Sequence, residues 1–263
     1  MKTISGRRLT VALTCALLAS AVVHAAEIKV VTSGAFTAAY LKLVPEYERT
    51  THHKLLTEFG PSMGTTHNAI PLRLERGEAI DVIIMAAQAL DNLIKQGKVR
   101  AGSRVDLVQS LMGMAVKAGA AKPDISSVDA LKRTLLAAKS IAYSDSASGV
   151  YLSTELFPKL GIADQIRGKS KKIEADPVGE AVARGEIEIG FQQISELRPV
   201  KGIDIVGPLP PGAQKVTIFA AGIPATSKHP AEAKAFIQWL ASPAAYAAIK
   251  ESGLDPAALA GSR

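Results

Sequence analysis

The stretch from Glu58 to Ala86 limits the possible folds more than any other part of this chain. It reads as the end of a short strand, a turn Gly60-Pro-Ser-Met-Gly-Thr-Thr-His67, a helix over Asn68–Arg76 stopped by Gly77, and an apolar run Asp81-Val-Ile-Ile-Met85. A strand with no polar alternation must be covered on both faces. That condition is met in parallel sheets flanked by helices, so the segment predicts an α/β fold. The turn adds a chemical inference. The first N–H groups of a helix lack partners and the helix dipole is positive there. Glycines and hydroxyls at that point therefore make a seat for a small anion rather than for a polymer.

The same alternation runs along the chain. Strands are predicted at Ile28–Thr32 and Leu55–Phe59, and helices at Phe36–Thr50 and Leu90–Gln96, the latter stopped by Gly97. In the second half, Val128–Ala138, Tyr151–Leu160 and Val178–Arg184 read as helices, and Ser140–Tyr143 and Ile187–Gln192 as strands. Ala183-Arg-Gly-Glu-Ile-Glu-Ile-Gly-Phe191 echoes Glu75-Arg-Gly-Glu-Ala-Ile-Asp-Val-Ile83, which fits two lobes of like topology. Val105–Val116 and Lys215–Ile223 are read as strands crossing between the lobes. Helices at Pro230–Leu240 and Ala244–Lys250 follow and pack back on the first lobe. The expected partition is residues 26–112 with 222–263 in lobe 1 and residues 113–221 in lobe 2. The ligand cleft lies between them at the strand ends.

Residues 1–25 have the form of a cleaved export signal. Lys2, Arg7 and Arg8 precede an apolar run over Leu9–Val23, and Val23-His24-Ala25 is a small-residue cleavage site. The expected location is the bacterial periplasm. The chain's one cysteine, Cys15, falls inside this leader, so the expected mature protein has no disulfide, thiolate metal site or cysteine nucleophile. Three of the 31 Lys+Arg lie there too, leaving 28 against 24 Asp+Glu, a net +4. That mild, dispersed charge suits a small anionic ligand and gives no basic stripe for nucleic acid. No His/Asp/Glu spacing suggests a metal, no cofactor is expected, and a monomer is.

Ser62, Gly64, Thr65 and Thr66 are candidate donors to a bound carboxylate or oxyanion, or plain helix caps. His67, placed by the predicted helix in its first turn, is the candidate general base. Arg73 reaches either a ligand carboxylate or, the favoured reading, a local ion pair with Glu75 or Asp81. Ser33 and Phe36 follow the first strand. Ser146, Ser148, Gly149 and Val178 stand at helix starts in the second lobe. Gln192 and Gln193 end a buried strand and need partners for their amides. Tyr151 is core or cleft wall, and Asp176 is read as a helix cap.

These segments carry a resemblance. The strand Ile28–Thr32 with Gly34-Ala-Phe-Thr37, the Gly/Ser/Thr turn, Arg76-Gly-Glu-Ala-Ile-Asp-Val-Ile-Ile-Met-Ala86, Ser144-Asp-Ser-Ala-Ser-Gly-Val-Tyr151 and Gly190-Phe-Gln-Gln193 are similar to the periplasmic molybdate-binding protein family. The resemblance covers nearly the whole mature chain and implies the two-lobed type II periplasmic binding fold. It also marks departures. The family's first-loop serine stands as Ala35 with Ser33 nearby, its second-lobe alanine as Ser148, and its late-strand tyrosine as Gln193. The serine loop carries about five extra residues over Gly60–Gly64. A longer loop and two amides suit a larger, carboxylate-bearing ligand.

One branch of such proteins includes a periplasmic aconitate isomerase, and this chain resembles that branch in length, export and altered cleft. Two functions stay open. One is an isomerase that moves a proton across an unsaturated tricarboxylate. The other is a receptor that hands an oxyanion or organic acid to an ABC transporter permease.

Overall fold

In a computed structural model of the chain, residues 25–174 and 177–258 are described. Residues 1–24 of the expected leader, and Asp176, lie outside them. The elements of the first lobe are β1 (Glu27–Thr32), α1 (Gly34–Thr51), β2 (Lys54–Phe59), α2 (Ile70–Glu75), β3 (Val82–Ala86), α3 (Ala87–Lys95) and β4 (Val105–Ser110). Those of the second are β5 (Met112–Lys117), α4 (Val128–Ala137), β6 (Ile141–Ser144), α5 (Ala147–Tyr151), α6 (Phe157–Lys159), α7 (Ala163–Ile166), β7 (Ser170–Ile173), α8 (Val178–Ala183), β8 (Ile189–Gln193), α9 (Ile194–Leu197) and β9 (Ile203–Pro208). The chain then returns to the first lobe with β10 (Thr217–Gly222), α10 (Pro230–Leu240), α11 (Tyr246–Glu251) and β11 (Asp255–Pro256). A π-helical segment, Leu152–Leu156, joins α5 to α6.

The strands form two sheets, β11-β4-β10-β3-β1-β2 and β7-β6-β8-β5-β9. Each sheet has a parallel trio, β2-β1-β3 and β7-β6-β8, flanked by one antiparallel strand, β10 and β5 respectively. The chain crosses at Leu111, between β4 and β5, and again over residues 209–216, between β9 and β10. The expected partition is corrected here. Thr217–Gly222 does not belong with the second lobe and is not itself a crossing strand. Its backbone pairs with β3 and β4, which fixes it in the six-stranded sheet. The Pro208–Pro211 stretch explains the shift, since three of its four residues have no N–H to continue a ladder.

The Arg-Gly-Glu echo is one physical device used twice. Gly77 and Gly185 take φ of +72° and +77°, the left-handed conformation that glycine adopts without strain. In α2 the Gly77 and Glu78 N–H groups return to the Leu74 and Arg73 carbonyls. In α8 those of Gly185 and Glu186 return to Val182 and Ala181. This is the same Schellman closure in both lobes. The flanking residues also pair alike, Arg76 with Glu78 at 2.7 Å and Arg184 with Glu186 at 2.6 Å.

Core apolar residues of β1, β3, α1, α10 and α11 form one cluster, with Tyr47 against Phe236 at 4.6 Å between ring centres. The returning C-terminal helices are therefore part of the first lobe's core. Asp81 fixes this return. Its carboxylate accepts from the Lys29 N–H at 2.9 Å, the Ser227 hydroxyl at 2.9 Å, and the Lys228 and His229 N–H groups at 2.9 and 3.1 Å. Burial alone would raise its pKa, but these donors outweigh it and hold the group below the usual carboxylate range.

Asp81→Ala is expected to cost about 3 kcal/mol, because several buried donors lose a charged acceptor together. A folded-state pKa below the unfolded value stabilises above the unfolded value and stops doing so as pH falls through the folded one. Urea melts of wild type and variant should therefore differ at neutral pH and converge below about pH 4.

Candidate functional site

The ends of β1, β3, β6 and β8 all point to the space between the lobes, and each runs directly into a helix: α1, α3, α5 and α9. Helix starts from both lobes therefore face one cleft. Three cavities mark it. The first, about 310 Å³, is walled by Met63, Ala87 and Arg104 on one side and Val150, Tyr151 and Lys215 on the other. The second, also about 310 Å³, joins Met63 and Gly64 to Asp145, Ser153 and Lys172. The third, about 500 Å³, lies between Gly34, Leu41 and Phe59 and the facing Gln192, Ser195 and Glu196.

The cleft floor is tied by Gln193. Its Oε1 accepts from the Ser110 hydroxyl at 2.7 Å, and its Nε2 donates to Thr217 Oγ1 at 3.3 Å. Both partners belong to strands of the first sheet. Gln193, expected to offer its amide to a ligand, has both ends engaged across the hinge. Gln192 differs. It is buried, and its Oε1 has no partner among the described residues.

The Ser62–Thr66 loop, expected to seat an anion at a helix start, ends before α2 begins at Ile70. Ser62 is fully buried and its Oγ accepts from the Ala86 N–H at 2.9 Å, tying the loop to the end of β3. Gly64 has φ of +108°, and an added Cβ would sit 2.5 Å from Asp145 Oδ2, so the loop touches the second lobe. Thr65 is exposed. Thr66 keeps a buried Oγ1 without a partner.

The helix begins at Ile70, not Asn68, for a definite reason. Pro71 lacks the N–H that would bond to the His67 carbonyl in a longer helix, and that carbonyl accepts instead from Arg76 Nη2 at 2.8 Å. His67 is therefore an exposed turn residue ahead of α2. It is not among the residues walling the three cavities.

Other expected site residues are placed as follows. Ser33 is buried at the start of α1, and its Oγ has no partner. Phe36 points into the first core, so its side chain is packing and not a ligand contact. Arg73 is taken by carboxylates of its own lobe, Glu58 and Glu78, rather than by a ligand or by Glu75 or Asp81. Ser148 shares a hydroxyl–hydroxyl bond with Ser144 at 3.1 Å. Gly149 lets α5 approach the end of β6. Val178 is buried in a small apolar cluster, which leaves only its backbone at the start of α8 to face the cleft. Tyr151 is cleft wall, donating to the Ala213 carbonyl at 3.0 Å with Lys215 over its ring.

The residue that the sequence reading missed is Glu196. It extends from α9 across the cleft to the first turn of α1, where an added Cβ on Gly34 would lie 2.0 Å from its Oε1. Burial pushes its pKa up to about 7, more than the Gln193 N–H and the Gln192 side chain lower it. Ser195 beside it has a buried hydroxyl without a partner. Ser33, Gln192 and Ser195 thus leave buried, uncommitted polar atoms around a carboxylate and the start of a long helix. Such atoms cost about 1–3 kcal/mol each until something bonds them, which marks a site built for a polar ligand. Among the described residues no group of His, Cys, Asp and Glu could hold a metal ion, and no helix is long and apolar enough to cross a membrane.

The geometry agrees with what the chain is similar to. The sequence model described as bacterial extracellular solute-binding protein matches residues 28–255. An aconitate isomerase from a Pseudomonas species is 49% identical over 251 residues, covering 94% of this chain and 96% of that protein. The molybdate-binding protein ModA of Azotobacter vinelandii is 31% identical over 258 residues, with shares of 94% and 96%. Among solved structures, the periplasmic molybdate-binding protein of A. vinelandii superposes with a TM-score of 0.68 at 23% identity, covering 86% of this chain and 98% of that one. The sulfate-binding protein SubI from Mycobacterium tuberculosis gives 0.69 at 16% identity, covering 91% and 90%. These structural likenesses establish the two-lobed binding-protein fold that the sequence implied.

Proposed function

The chain belongs to the bacterial extracellular solute-binding protein family, and we propose that its cleft acts as an aconitate isomerase in the periplasm. The observation that carries this reading is the 49% identity to an aconitate isomerase across nearly the full length of both proteins. The cleft chemistry supports it. Aconitate presents three carboxylates on a short unsaturated skeleton. The N–H groups at the start of α1 and the hydroxyls of Ser33, Thr66 and Ser195 are donors of the kind such a ligand requires.

Interconversion of the cis and trans forms can run as an allylic 1,3-proton shift. A base breaks a C–H bond of the methylene carbon, and the electron pair spreads over the allylic system and its carboxylates. The same proton then forms a C–H bond at the former vinyl carbon. The double bond moves by one position with no net redox change. Donors that hold the carboxylates stabilise the charge as it spreads, and closure of the lobes keeps water from the carbanion.

A receptor for an oxyanion, passing its cargo to an ABC transporter permease, is the second reading, favoured by the 31% identity to ModA. Ligand choice separates the two. Binding stabilises the folded state by an amount that grows with the logarithm of ligand concentration over Kd, so thermal melts with equal concentrations of trans-aconitate, citrate, molybdate, tungstate and sulfate rank the ligands. The isomerase reading expects the largest rise from trans-aconitate. A rise with molybdate or tungstate alone would return the protein to the receptors.

A further inference from the structure

We propose that Glu196 is the group that carries the proton in the isomerisation. This rests on the isomerase reading and names the residue that performs its chemical step. A 1,3-shift by one base needs a carboxylate or imidazole that faces the cleft, is free of a cationic partner, and is shielded enough to hold the proton between the two carbons. The cleft's titratable groups differ sharply by these criteria. Asp91 is gripped by Arg104, with both carboxylate oxygens at 2.6 Å from Nη1. Glu155 is bonded to Lys215 at 2.6 Å. Asp145 is also buried, which raises its pKa, and its Oδ2 has no partner among the described residues, but it lines the Met63–Lys172 cavity and not the one at the start of α1. His67 stands exposed outside the cavities.

Glu196 alone among these reaches the start of α1, and it lines the same cavity as Ser195, whose hydroxyl is uncommitted. The α1 residues that face it in the cavity, Gly34, Thr37, Ala38 and Leu41, carry no ionisable group, nor does Phe59 of β2. From α8 the one titratable side chain in that cavity is Glu180. Immediately after α9, Arg198 is turned away to the Glu251 carbonyl, at 3.2 Å.

In the step, ionised Glu196 takes the proton from the substrate methylene and becomes a neutral acid. It then returns that proton to the carbon two atoms away and is ionised again. No other reactant is consumed. The seat at the α1 N-terminus brings the substrate's own carboxylates beside this group, because they use the neighbouring donors.

The test compares Glu196→Gln with wild type on cis- and trans-aconitate, with circular dichroism and a trans-aconitate thermal shift as checks of folding and binding. The variant should bind yet turn over about 10³-fold more slowly, within the range that general acid–base groups supply. Wild type needs Glu196 ionised to begin, so its kcat should fall tenfold per pH unit below an apparent pKa near 7 and level off above it. That profile holds independently of how the variant folds. Turnover by Glu196→Gln within threefold of wild type, or a wild-type kcat flat from pH 5 to 9, overturns the assignment while leaving the isomerase reading intact. Absence of wild-type turnover rejects the isomerase reading itself.

Discussion

Gly34→Ala is expected to give a protein that folds as well as wild type and isomerises aconitate about 10²-fold more slowly, the scale of loss seen when a reacting group is displaced by about 1 Å. Gly34 opens α1, and the carboxylate of Glu196 lies where a Cβ would go, 2.0 Å from Oε1 and 3.0 Å from Cδ. The atoms in the way are the far end of a flexible side chain, so the backbone need not move. Alanine also suits a helix better than glycine, by roughly 0.5–1 kcal/mol in a helix interior. The melting temperature should hold or rise while kcat falls. The comparison is informative because Glu196 itself is unchanged and only its seat is taken. A variant with wild-type kcat would show that the carboxylate does not work from the α1 N-terminus.

The same exchange at Gly149 should have the opposite character. There a Cβ would fall 1.6 Å from the Ser144 carbonyl oxygen and 2.7 Å from its carbon, both backbone atoms at the end of β6. Neither can swing aside. To admit the methyl group, α5 must lift from the strand, breaking the Ser144–Ser148 contact and moving Asp145 away from Gly64. Overpacking ordinarily costs about 1–3 kcal/mol, and a collision with backbone belongs at or above the top of that range. For a chain of this size a loss of about 3 kcal/mol lowers the melting temperature by roughly 6–12 °C. Calorimetry on Gly149→Ala tests this. An unchanged melting temperature would mean that the helix can shift without loss, and the close packing at this cleft edge would lose its structural importance.

Much of the scaffold was legible because it rests on local chemistry. The buried strand at Val82–Ala86 and the strand ending at Gln193 are runs that only a covered sheet accommodates. The two Arg-Gly-Glu segments share a helix stop whose geometry depends on neighbours in the chain. The start of α2 was legible in principle, since Pro71 cannot donate to His67, but the hydroxyl-rich turn drew the expected boundary two residues too early. With that boundary went the reason to place His67 beside a ligand.

The long-range assignments were less accessible. Nothing near Gln193 says that its amide binds Ser110 and Thr217 on strands that precede and follow it by many residues. Glu196 sits in an ordinary Ser-Glu-Leu turn of helix, and its importance comes only from packing against Gly34 in the other lobe. A glycine that opens a helix directly after a strand was the one available hint that something must approach closely there. Arg73 illustrates the reverse case. A cation near an anion loop invites a ligand role, yet Glu58 and Glu78 of its own lobe already satisfy it.

The central claim is that the cleft moves a proton and does not only hold an anion. Proton NMR of millimolar cis-aconitate with micromolar mature protein, and of trans-aconitate in a parallel sample, tests it most directly. The isomerase predicts that each sample develops the other isomer and that both reach the same final ratio, because a catalyst leaves the equilibrium unchanged. Spectra that stay constant for hours, from protein that molybdate stabilises, would contradict it.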